Sequence, residues 1–173
     1  MKRELNKYLN ELTKKELEAE VKKLYTKFKV VKNFYDMELS QDTTAILEQF
    51  KLKIQKEYLP ARGFGRASNR ESKKVITEFK KIAVFKQDLI DLILFRVKVM
   101  LDYTFTYGDI DEPFYNSMDS SFGDACKLIK AEQLEKKYEA QLQNFIHQAS
   151  KFGWGVYDSF VYLYEEYIGE FEG

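Results

Sequence analysis

A single cysteine, a single histidine, two prolines and eight glycines in 173 residues each remove a class of protein. The lone Cys126 rules out an internal disulfide and, set in an apolar stretch, reads as a small buried hydrophobe. A reducing compartment, the cytoplasm, is the expectation. Zinc sites of the usual Cys and His composition are out of reach, and any metal would need several carboxylates to hold it. So little Pro and Gly argues against a turn-rich β-sandwich or barrel. Long apolar runs are missing too. The start, MKRELNKYLNEL, is charged throughout and resembles neither a secretory signal nor an anchor. The most apolar segment, DLIDLILFRVKVMLDYTF, is interrupted by Asp91, Arg96, Lys98 and Asp102, so no membrane span is expected.

What is present is core material. Apolar residues make up 45% of the chain and aromatics 16%, with 14 Phe and 12 Tyr, which excludes a disordered chain. The length suits one domain, residues 1–173. Net charge is zero, yet residues 1–86 carry 21 Lys/Arg against 12 Asp/Glu, and residues 87–173 carry 7 against 16. Such polarity means either that the two halves pack together and neutralise each other, or that they present opposite faces to partners.

Apolar spacing is helical from end to end. Thr13 and Glu16 form a capping-box pattern ahead of Leu17, Val21, Leu24, Tyr25 and Phe28, one stripe of a 3.6-residue helix. Leu5, Leu9 and Leu12 predict a short helix before it, and Val31, Phe34, Tyr35 and Leu39 another after it. Asp42 is a candidate cap for residues 43–58, which Pro60 terminates. PARGFGRASNR is the clearest loop, and Ser68 with Glu71 repeats the capping spacing for the next helix. Residues 86–106 are apolar on more than one face, as befits a helix surrounded by others. Gly108 can stop it, and Asp111 or Glu112 can cap a following helix with Pro113 in its first turn. Stripes from Leu134 to Ala149 and from Tyr157 to Ile168, separated by FGWG, complete the pattern. The expectation is an all-α, compact multi-helix bundle of about eight amphipathic helices, without the fixed period of a repeat array.

Catalytic and cofactor signatures are missing: no Walker loop, GxGxxG, HExxH, CxxC or GxSxG. No cofactor and no catalytic residue is expected, and a packed Cys126 with a surface His147 is the simpler reading of the one Cys and one His. Three segments could carry binding. The basic stretch from 62 to 81, with Arg62, Arg66, Arg70, Lys73 and Lys74, runs from a loop into a helix start, where phosphate or nucleic acid is attracted; a solvated face is the plainer account. The acidic residues Asp109, Asp111, Glu112, Asp119 and Asp124 offer a carboxylate metal site, although their spacing is not that of an EF-hand and helix capping explains several. Near the C-terminus, Trp154 between two glycines and Tyr162, off the stripe of its helix, are candidates for a protein interface.

The block YLNELTKKELEAEVKKLYTKFKVVKNFYD, the junction KIQKEYLP before the basic loop and the turn GDIDEPFYNSM together resemble DUF6155, a family of small bacterial proteins of unknown function. The resemblance covers nearly the whole chain. It implies a helical cytoplasmic protein and brings no activity, cofactor or site residue with it. The function expected from the residues is a helical binding module acting through a protein partner or a homo-oligomer, with nucleic-acid or phosphate binding and a carboxylate metal site as alternatives.

Overall fold

The computed structural model describes residues 1–40 and 42–172, and among them nine helices and no strand. They are α1 (Lys2–Glu11), α2 (Lys14–Lys27), α3 (Lys29–Leu39), α4 (Thr44–Tyr58), α5 (Asn69–Lys80), α6 (Lys86–Tyr107), α7 (Glu112–Ala131), α8 (Glu135–Ala149) and α9 (Val156–Tyr167). The protein is all-α, with one helix more than the count of about eight. The boundary at Phe28, where the backbone is extended (φ −119°, ψ 114°), separates α2 from α3 as the separate Val31 to Leu39 stripe predicts.

Helix starts follow the sequence signals. Thr13 and Glu16 satisfy each other's backbone N–H groups as a reciprocal capping box. Ser68 accepts from the Glu71 N–H, but the Glu71 side chain turns toward Lys74 at 3.9 Å, so only half of that box forms. Asp42 caps from one position further out than usual, its Oδ1 accepting from the Thr44 N–H at 2.9 Å. Asp111, rather than Glu112, caps α7, accepting from the Phe114 N–H at 2.9 Å. Gly108 ends α6 at φ 82°, ψ −163°, an extended positive-φ conformation open essentially only to glycine and costing another residue about 1–3 kcal/mol.

The long α6 is the axis of the bundle. Leu89, Ile90, Leu92, Ile93, Leu94, Val97, Met100 and Leu101 are all buried, because α4, α5, α7 and α8 surround it. Next, α7 packs on α9, where Phe122 and Phe160 stack with centroids 4.0 Å apart. One contiguous hydrophobic cluster runs from Met37 to Tyr164. Among the described residues no helix is long and apolar enough to cross a membrane.

The chain's charge polarity is not cancelled by ion pairing. Among the described residues no ion pair joins residues 1–86 to residues 87–173; most are local, and Lys53 to Glu78 and Lys130 to Glu135 stay within their own halves.

Candidate functional site

The sequence predicts buried stripes on α1 and α2, yet neither helix buries a single residue. Leu5, Tyr8 and Leu9 on α1, Val21 and Leu24 on α2, Phe28 at the junction, and Val30 and Phe34 on α3 all remain exposed. Tyr25 donates to Asp36 Oδ1 at 2.7 Å and its ring lies 6.4 Å from Tyr35, which ties α2 to α3. Met37 then anchors α3 in the core. The result is an arm whose α2 and α3 lean on each other through Tyr25 and Tyr35, while much of its remaining apolar side stays exposed.

At the centre of the bundle lies a feature that periodicity does not reveal. Arg96 is 0% exposed, halfway along α6. Its Nε donates to Ser72 Oγ at 2.8 Å, and one terminal nitrogen donates to the Ser117 carbonyl at 3.1 Å and to Ser121 Oγ. The other donates to Tyr58 OH at 3.1 Å, Asn69 Oδ1 at 3.1 Å and Ser117 Oγ at 2.9 Å. Every acceptor is neutral, and no carboxylate pairs with the guanidinium. Burial pushes Arg96 below its ordinary value, offset in part by Tyr58; the Tyr58 phenol is raised by burial, with Arg96 pulling the other way. Arginine stays protonated under such pressure, so a buried cation is held entirely by dipoles. In the sequence Arg96 is only an interruption of an apolar run. The available signal was an arginine inside a helix with no polar face to receive it.

At one end of the bundle, aromatic rings form a ladder. Phe64, 86% exposed on the 59–68 loop, lies 6.1 Å from Tyr107; Tyr103, Phe114 and Tyr115 follow, and Tyr115 stacks on Trp154 at 5.8 Å. Trp154 is 55% exposed and held at φ 63°, unusual for a bulky residue. The structure thus joins the loop of the basic segment to Trp154, while Tyr162 lies on α9 outside the ladder, 65% exposed.

Arg62, Arg66 and Arg70 are exposed, and among the described residues none has an ion-pair partner. Lys73 and Lys74 of α5 line two separate clefts, neither of which is lined by the loop arginines. The acidic turn is occupied structurally. Asp109 accepts from Tyr115 OH at 3.1 Å, and Asp111 caps α7. Among the described residues no three His, Cys, Asp or Glu side chains gather as a metal-ligand set, so nothing supports the carboxylate-site alternative: α7 places Asp119 and Asp124 beyond the turn, on separate sides of the helix, near Ser159 and Lys73 respectively. Cys126 is buried and its thiol is pushed up to about 12 by burial, whereas His147 is exposed on α8 beside Phe171. The two make no hydrogen bond among the described residues.

Asp119 Oδ1 is buried without a hydrogen-bond partner, and burial raises the carboxyl to about 6, with Ser159 pulling it down. A carboxyl raised above its unfolded value of 3.8 favours the fold while protonated, so that stability is complete below about pH 4 and falls as pH rises through about 6. Asp119→Asn should therefore gain about 1 kcal/mol on wild type between pH 4 and 7, after allowance for partial exposure. Urea unfolding of both proteins across that range measures it; parallel curves would show that the group is not strained.

A helical bundle closed around a buried arginine, carrying an arm whose apolar residues are largely exposed, defines the class of this protein as all-α. The chain belongs to the Family of unknown function (DUF6155), whose model matches residues 1–168. No curated protein and no solved structure matches it.

Proposed function

We propose that the protein is a self-associating interaction module, in which the α1–α3 arm packs against the same arm of a second copy. The observation that carries this reading is that α1 and α2, with ten and fourteen residues, bury none of them. Helices of this length are marginal alone in water and owe their stability to an apolar face that is covered. A self-complementary stripe suits a two-fold pair, the commonest oligomer. Charge agrees with it. The first half of α2 carries Glu16, Glu18 and Glu20 with Lys14 and Lys15, and the second half only the cations Lys22, Lys23 and Lys27, so an antiparallel copy sets Glu16 against Lys27 and Glu20 against Lys23, which already pair at 3.2 Å within one helix. For the runner-up, nucleic-acid contact through Arg62, Arg66 and Arg70, none of the clefts described among these residues is lined by the three together.

Light scattering at about 100 µM should give twice the chain mass of 20.5 kDa for the wild type and a single-chain mass for Val21→Glu/Leu24→Glu. Both side chains are exposed, so the variant should keep its fold and its thermal transition. A wild type that runs as one chain at that concentration would end the proposal.

A further inference from the structure

Between α5, α6 and α7 lies a small cleft of about 130 Å³. Lys73, Thr77 and Lys80 reach it from one face of α5, at i, i+4 and i+7, and Ser121 and Asp124 reach it from α7. Ser121 is 3% exposed and accepts from Arg96, so the buried guanidinium stands directly behind the cleft wall. The charges are three cations, Lys73, Lys80 and Arg96, against the single carboxylate of Asp124. Lys73 is pushed below its ordinary value by burial first and then by Arg96, with Asp124 opposing. Positive charge is therefore in excess on both sides of Ser121.

We infer that this cleft binds a tetrahedral oxyanion, a phosphate group, between Lys73 and Lys80 with the Ser121 hydroxyl beneath it. The reasoning starts from Arg96. Its hydrogen bonds are complete, but dipoles compensate a charge less fully than an anion does, and in low-dielectric surroundings part of the guanidinium's field reaches the opening beyond Ser121. That opening is walled by two lysines and by hydroxyls, the groups that hold phosphate. Ser121 now donates to the Ser117 carbonyl at 3.2 Å, a long bond that it can redirect to a ligand oxygen, and the hydrogen bond received from Arg96 makes it a stronger donor. Asp124 sits at the edge, where it accepts from a protonated oxygen of the ligand or from Lys73. The loop arginines are not needed: the site takes only Lys73 and Lys80 from the basic stretch 62–81, and the arm is not part of it.

Two sources share this chemistry, free phosphate and the phosphate of a larger molecule. Amide shifts of the full chain should be followed by NMR during titration with inorganic phosphate and with phenyl phosphate, against sodium chloride at equal ionic strength. Saturable shifts at Lys73, Thr77 and Ser121 are expected, weakened about tenfold or more in Lys73→Gln/Lys80→Gln. Tighter binding of phenyl phosphate assigns the site to a phosphorylated molecule, and tighter binding of the inorganic ion assigns it to free phosphate. Both lysines are exposed, so the variant should fold, which its unperturbed spectrum checks. Absence of saturable shifts with either compound, or equal shifts in the variant, would overturn the inference.

Discussion

Replacing Arg96 by methionine is expected to lower the unfolding free energy by about 4 kcal/mol and the thermal midpoint by roughly 10 °C. Methionine fills much of the volume, but it removes the donor shared by Tyr58 OH, Asn69 Oδ1 and the hydroxyls of Ser72, Ser117 and Ser121; Tyr58 and Ser72 keep their mutual 2.8 Å bond and Ser121 its bond to the Ser117 carbonyl, while Ser117 Oγ is left unpartnered among the described residues. Each buried polar group stripped of its partner costs about 1–3 kcal/mol, and relief from burying a charge returns part of the total. Arg96→Lys separates charge from geometry. The ammonium keeps the cation but has three donors and no planar fork, so a loss of about 2 kcal/mol is expected. Urea unfolding followed by circular dichroism measures both. If Arg96→Met stays within about 1 kcal/mol of wild type, the hydrogen-bond cluster contributes little, and the account of the bundle centre fails.

The second large effect is expected at Gly65. A Cβ built there would lie 2.0 Å from the Tyr58 carbonyl oxygen and 2.7 Å from that of Glu57, both backbone atoms that cannot swing aside. Gly65→Ala must therefore lift the 59–68 loop from the end of α4, breaking the 2.7 Å hydrogen bond from Ala67 N–H to the Glu57 carbonyl. Phe64 would lose its place beside Tyr107. A loss of about 3 kcal/mol is expected. Gly63→Ala is the control: its φ of 75° disfavours a side chain, yet nothing lies within 4 Å, so about 1 kcal/mol should be lost. Equal losses at the two positions would show that backbone conformation, and not close approach, governs the loop.

These two positions mark where the sequence was legible and where it was not. Local rules are written in local residues, and they were readable. Thr13 with Glu16, Ser68, Asp111 and Gly108 all bound helices where capping and positive-φ geometry predict. The apolar surround of residues 86–106 correctly anticipated a central helix. Arg96 showed in the sequence only as a charge inside an apolar helix, because its role depends on Tyr58, Asn69, Ser72, Ser117 and Ser121, which sit 21 to 38 residues away and carry no pattern of their own. Gly65 was read as loop chemistry, whereas its role is set by a backbone contact with α4. The arm shows the converse case. Its spacing promised burial, and spacing states which residues share a face but not whether anything stands opposite. For the same reason the acidic turn suggested ligands, while the fold uses Asp109 and Asp111 to hold Tyr115 and to cap α7.

Arg96 also has a consequence for how the chain reaches its native state. Its acceptors come from α4, α5 and α7, and a guanidinium leaving water with only some of them in place is heavily penalised. Intermediates in which α6 is enclosed by a subset of its neighbours are disfavoured, and the four helices should open and close as one unit. Amide exchange from α4, α5, α6 and α7 would then proceed only through concerted opening and share one protection free energy, while α1 and α2 exchange through local fraying.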